Sequence, residues 1–137
     1  MFVDASAIIA IITQEDDWES LAARLAQASR IYVSPLAVWE AVAGLAREAH
    51  IPFEDAEALL DRFVEETKAQ MITISAAIGR EAVKASRLYG KGRHRAGLNF
   101  GDCFAYACCK THRLPLLFKG NDFVHTDVAV AWSVAAC

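Results

Sequence analysis

Apolar residues recur along the chain in two rhythms. Short unbroken apolar runs rich in β-branched and aromatic residues suit buried strands, and longer stretches with apolar residues every third or fourth position suit helices. Phe2-Val3 is a short strand, followed by an apolar helix over Ala7–Thr13 for which Ser6 is the expected cap. A second helix covers about Asp17–Ala28, with Trp18, Leu21, Leu25 and Ala28 at helical spacing, and Ile31-Tyr32-Val33 reads as a strand. Ser34-Pro35 opens a helix that runs to about His50. Pro52 ends it and helps start the next, with Ala56, Leu59, Leu60, Phe63 and Val64 on one face. Met71–Ile74 is a third strand, and Ser75 starts a helix to about Tyr89. A basic, glycine-containing loop follows over Gly90–Gly97, then a helix over Asn99–His112 and a fourth strand over Leu114–Phe118. A fifth strand is expected near Val128–Val130.

Strands that are apolar throughout, alternating with helices, imply a parallel sheet covered on both faces. The expectation is one three-layer α/β/α domain over residues 1–137, with a mainly parallel sheet of four to five strands and no linker or repeat. Composition narrows this further. Among 137 residues, 55% are apolar, with 7 Gly and 3 Pro, which excludes disorder and collagen-like repeats. Lys and Arg total 14 against 17 Asp and Glu, so any affinity for nucleic acid must come from a local patch. The apolar stretches Ala7–Ile12 and Val128–Ala131 are far shorter than the ~20 residues of a membrane span, and no secretory signal precedes Asp4. A reduced, cytoplasmic protein with no membrane contact is expected.

Most acids decorate solvated helix faces, but four places differ. Residues 1–14 hold one charge, Asp4; residues 31–46 hold one, Glu40; residues 96–109 hold one, Asp102. Asp122 and Asp127 follow the apolar run Leu114–Phe118. A lone carboxylate in an apolar segment is costly to bury without compensation. Each has an ordinary reading: Asp4 as a strand end, Glu40 as a helix-surface acid, Asp102 as half of a capping box with Asn99. Jointly, their places near the carboxyl ends of strands direct them to the crevice where open parallel sheets bind ligands. Several carboxylates meeting there need a hard cation, Mg²⁺ or Mn²⁺.

Four segments, in this order and spacing, resemble the PIN-domain family, and within it the VapC-type toxins of bacterial type II toxin–antitoxin modules. They are Phe2-Val3-Asp4-Ala5-Ser6, Ser34 to Glu40, Leu98-Asn99-Phe100-Gly101-Asp102-Cys103, and Leu116 to Phe123. The resemblance implies a PIN-like fold and an endoribonuclease dependent on Mg²⁺ or Mn²⁺, cutting to a 3′-hydroxyl and a 5′-phosphate. It carries the family's acids onto Asp4, Glu40, Asp102 and Asp122. Asp4 and Asp102 would be direct metal ligands, with Glu40 and Asp122 holding a water or a second ion. Ser6 would orient the first acid, Asn99 would support the site, and Asp127 would be a supporting or alternative fourth acid. The implied partners are an RNA substrate, a cognate antitoxin and a second copy of the chain.

Arg80, Lys84, Arg87 and Lys91 recur at helical steps, and Arg93, His94 and Arg95 continue into the loop before Asn99. This stripe is either a solvated face opposite Ile78, Val83 and Leu88 or a phosphate-binding rim beside the acids. Zinc held by Cys103, Cys108, Cys109 and His112 is less favoured than buried thiols on an apolar helix. Two rival functions are an aspartyl phosphatase using Asp4, for which Ser6 stands where a second acid is expected, and a non-catalytic metal- or phosphate-binding module. Gly90, Gly92 and Gly97 do not follow a strand, so no nucleotide-cradling loop is read.

Overall fold

The structure, a computed structural model, describes residues 1–134. Its elements are β1 (Phe2–Val3), α1 (Ala5–Thr13), α2 (Trp18–Gln27), β2 (Tyr32–Val33), α3 (Pro35–Ala49), α4 (Phe53–Thr67), β3 (Gln70–Met71), α5 (Ala76–Tyr89), α6 (Phe100–His112), β4 (Leu116–Lys119), a 3₁₀ turn over Phe123–His125, and β5 (Val130–Val134). The strands lie in the order β3-β2-β1-β4-β5, and every neighbouring pair is parallel.

Strand side chains alternate between the two faces of a sheet, and here the alternation divides the core. Phe2, Leu116 and Phe118 pack with Ile78, Ala82, Cys103 and Tyr106 of α5 and α6. Val3, Val33 and Leu117 pack on the other face with Ile8, Leu21, Leu45 and Leu60 of α1 to α4. The expected α/β/α layering follows directly.

Several expected boundaries move. The helix after β1 begins at Ala5, and Asp4 rather than Ser6 is its cap, because the Asp4 carboxylate accepts the Ser6 backbone N–H. The strand expected over Met71–Ile74 is Gln70–Met71, an exposed edge whose ladder continues only through the Ile72 N–H to the Val33 carbonyl. The fifth strand begins at Val130, later than expected, with Leu116 paired to it. Leu59 is partly exposed, and Val83 is 71% exposed, so Val83 does not belong to the buried face of α5 that Ile78, Ala82 and Ala85 form. Cys103, Cys108 and Cys109 are buried core thiols, with burial pushing Cys108 up to about 11, while His112 is exposed. Cys137 lies outside the described residues.

Strand order reverses direction across β1: the chain builds outward through β2 and β3 on one side, then returns to β4 on the other. The carboxyl ends of β1 and β4 therefore flank a crevice of the kind that binds ligands in open parallel sheets. Gly120, at φ +113°, supplies the left-handed step that swings the chain from β4 towards Asp122.

Candidate active site

Four elements deliver carboxylates to this crevice. Asp4 follows β1 directly, is 5% exposed, and is fixed by two bonds to Oδ2, from the Ser6 hydroxyl at 2.6 Å and the Ser6 N–H at 3.1 Å. Ser6 Oγ in turn accepts the Lys119 N–H at 3.1 Å, which ties the first acid to the end of β4. Asp102 sits in the first turn of α6 within a complete capping box: its carboxylate accepts the Asn99 N–H at 3.1 Å, and the Asn99 side chain accepts the Asp102 N–H at 2.9 Å. The capping reading and the site reading thus describe the same residue, since the cap fixes Asp102 by one oxygen. Glu40 reaches in from α3, and Asp122 from the turn after β4.

The electrostatics show that these groups face one another. Burial raises the Asp4 pKa despite the Ser6 bonds, and the Asp122 charge adds to the rise. Glu40 is pushed up to about 7, first by burial and then by the charges of Asp4 and Asp102. Asp102 is also pushed up to about 7, by burial and by Asp4, with Asp122 contributing and the Asn99 bond opposing. The ion pairs among the described residues are Arg62–Glu66, Lys110–Asp127 and Lys119–Glu15, and none involves the four acids. Crowded carboxylates without a protein cation are the donor set that a hard divalent ion satisfies. No trio of His, Cys, Asp or Glu among the described residues forms a ready cage for a metal.

A pH dependence follows from these shifts. Between about pH 4 and pH 7 the folded protein holds protons that the unfolded chain has released, so unfolding stability falls as pH rises through this window. Without divalent metal, the melting temperature is expected to drop from pH 5 to pH 7.5, and Mn²⁺ should restore it at the upper end. A metal-free melting temperature that is flat or rising over this range would contradict the shared burial of the acids.

The other expected site residues divide. Asp127 is held elsewhere, accepting the Tyr106 hydroxyl at 2.6 Å and Lys110 Nζ at 3.1 Å, and these bonds lower its pKa. Arg80, Lys84, Arg87, Lys91, Arg93 and Arg95 are all exposed and join none of those ion pairs. They lie along different parts of α6. Arg80 and Lys84 line a shallow surface beside Thr111, near the end of α6 remote from Asp102, whereas Lys91 lines a cleft with Asn99 and Phe100. Arg80 and Arg87 are themselves about 10 Å apart along α5. His94 turns inward, accepting the Ala96 N–H at 3.0 Å and meeting Tyr89 edge-on.

Two contributors escaped the sequence reading. Lys119 bonds Glu15 at 2.9 Å and the Asp16 carbonyl at 3.1 Å, stapling β4 to the turn before α2 while its backbone holds Ser6. Its place just after an apolar strand was the available signal. The second is Gly101, whose missing side chain leaves room for Glu40.

Comparison with known proteins bears on the family and the fold. The PIN-domain family model matches residues 1–129. A VapC ribonuclease of Rhizobium meliloti is 42% identical, the match covering 93% of this chain and 98% of the relative. Ribonuclease VapC30 of Mycobacterium tuberculosis is 40% identical, over 94% and 96% of the two chains. Among solved structures, the Sarcin-Ricin loop cleaving toxin VapC20 of M. tuberculosis superposes with a TM-score of 0.73 at 17% identity, over 93% of this chain and 95% of that one. VapBC2 of Rickettsia felis, bound to a promoter DNA fragment, superposes at 0.69 and 16% identity, over 98% and 96%. These last two likenesses speak to the fold. With the family model spanning nearly the whole sequence and close relatives matched end to end, the chain belongs to the PIN-domain family and, within it, to the VapC-type ribonuclease toxins.

Proposed function

We propose that this chain is the toxin of a toxin–antitoxin pair and hydrolyses RNA at the cluster of Asp4, Glu40, Asp102 and Asp122, with Mg²⁺ or Mn²⁺ as cofactor. The observation that carries the reading is the meeting of four carboxylates from four elements, three of them with raised pKa values, without a protein cation. Asp4 and Asp102 are the residues that would hold the ion, because each is already oriented through its own hydrogen bonds. A divalent ion bound there supplies an acidified water for attack on phosphorus and neutralises charge on the phosphate oxygens. Ser6 keeps the Asp4 carboxylate aimed into the crevice. Glu40, which reaches the cluster from α3, would hold a water or a second ion. Asp122, exposed at the rim, is suited to hold a water or a second ion.

The decisive experiment is cleavage of a panel of structured RNAs by the antitoxin-free protein with Mg²⁺, Mn²⁺ or EDTA. Cutting that needs metal and leaves 5′-phosphate ends is expected. Stabilisation by metal with no cutting of any RNA would favour a binding module instead.

The basic stripe supports RNA approach along α5. Lys84→Ala combined with Arg87→Ala is expected to weaken RNA binding in EDTA severalfold. The slope of log K against log salt should flatten by about 1.4, the value for two lost contacts to a single strand. An unchanged slope returns the stripe to solvent.

In this reading the toxin works in the cytoplasm as a homodimer, and Trp39, Val83 and Phe100 are exposed apolar side chains that a protein partner would cover. Its antitoxin would neutralise it by placing an Arg or Lys among the carboxylates in place of metal. Copurification of an antitoxin that abolishes cleavage, and sedimentation of the free toxin, test these two partners.

A further inference from the structure

Gly101 occupies the second position of α6, in ordinary right-handed helix rather than the left-handed region that calls for glycine. An alanine would fit that backbone and would strengthen the helix, because glycine loses more conformational freedom on folding. The same helix uses alanine freely, at Ala105 and Ala107. Local structure therefore gives no reason for the glycine. Its surroundings do: a Cβ built on Gly101 would fall directly on the Glu40 carboxylate, meeting Oε2, Cδ and Oε1 together. Other glycines contrast with this. A Cβ on Gly79 in α5 meets nothing within 4 Å, and one on Gly44 meets the tip of the apolar Ile9 side chain. Gly101 alone would press a methyl group onto a side-chain carboxylate.

We infer that Gly101 is a positioning residue of this site: by carrying no side chain, it lets the Glu40 carboxylate from α3 lie on the first turn of α6, beside Asp102. The inference rests on the cluster being the cleavage site. Glu40 makes no hydrogen bond among the described side chains, so nothing but packing fixes it. The bare backbone of Gly101 is the floor of that packing, at a helix end whose free N–H groups and dipole favour a carboxylate. A methyl group there would drive the carboxylate sideways by about its own width, and displacements near 1 Å can cost on the order of a hundredfold in rate.

The test compares Gly101→Ala, Glu40→Ala, Glu40→Asp and the two double variants, reading RNA cleavage with Mg²⁺ and the melting-temperature shift caused by Mn²⁺ alone. Gly101→Ala is expected to cut RNA at least tenfold more slowly and to show a reduced Mn²⁺ shift, while its metal-free melting temperature is unchanged or higher. On the Glu40→Ala background the same change should add nothing, because no carboxylate remains to displace. Paired with Glu40→Asp, whose shorter side chain leaves room for the methyl group, Gly101→Ala should cut faster than Gly101→Ala alone. Full activity of Gly101→Ala, or an equal loss with and without the Glu40 side chain, would overturn the inference. If the wild type is stabilised by Mn²⁺ yet cuts no RNA, the nuclease reading fails separately. The inference then stands on the Mn²⁺ shift being lost in Gly101→Ala and regained with Glu40→Asp, and falls if that shift is unaffected. A wild type that Mn²⁺ does not stabilise overturns both.

Discussion

Asp102→Asn is expected to abolish RNA cleavage, by at least about a hundredfold, while leaving the protein folded. The loss follows from charge: Asp102 is one of the two acids we propose as holders of a divalent ion, and an amide oxygen is a much weaker partner for that ion. The fold survives because the asparagine side-chain oxygen can still accept the Asn99 N–H, and the Asn99 side chain still caps the Asp102 N–H. Removing a carboxylate crowded by Asp4 and Asp122 should also raise the metal-free melting temperature at pH 7.5, where the wild-type charge is least welcome. The variant therefore gains stability as it loses activity. Cleavage assays beside circular dichroism check both halves, and a variant that cuts RNA at the wild-type rate would remove Asp102 from the mechanism.

The largest expected effect on stability is that of Phe118→Ala. Phe118 is fully buried in β4, and its ring meets Phe123 edge-on with centroids 5.1 Å apart. Truncating a buried phenylalanine removes its transfer energy and leaves a cavity, at a cost of about 3–5 kcal/mol. Against a total of roughly 5–15 kcal/mol for a domain, that is a large share, and it should lower the melting temperature by about 10 °C or more. The site should feel it too. Phe123 anchors the 3₁₀ turn immediately after Asp122, so losing its partner frees the fourth acid to wander. Denaturant titration and cleavage by the folded variant measure the two effects. A cost below about 1 kcal/mol would show that β4 tolerates the cavity and that the Phe118–Phe123 contact does not hold the turn.

Much of this protein was legible in the order of its residues. Ser34-Pro35, Ser75 and Asn99 mark helix starts that the structure reproduces, because capping chemistry is local: a side-chain oxygen three residues from the N–H it accepts needs no distant partner. Apolar strands alternating with helices fixed the layer order, since a strand buried on both faces has no polar side to show. The lone acids Asp4, Glu40 and Asp102 stood out for the same local reason, each being the single charge in an apolar stretch.

Only the tertiary structure decided which of those groups lie near one another. The sequence put Asp122 in the acid set and kept Asp127 as a supporting or alternative fourth acid. In the fold, Asp122 lies close enough to raise Asp4 and Asp102, while Asp127 bonds Tyr106 and Lys110, partners 21 and 17 residues away that no local pattern could name. Periodicity placed Val83 on the buried face of α5, yet the space above it is open, because amphipathic spacing states which residues share a face and not what covers it. The basic stripe is continuous along the sequence, but the pairing of α5 with α6 sets Lys91 in a cleft with Asn99 and Phe100 at the start of α6 and leaves Arg80 beside Thr111 at its other end. Gly101 is the sharpest case: within its own helix the residue is a defect, and it acquires a purpose only when α3 lays a carboxylate against it. Propensity, capping and burial pattern act between neighbours in the chain and so can be read from it. The meeting of charges, and the room left for them, depends on distances that arise when the helices and the sheet pack.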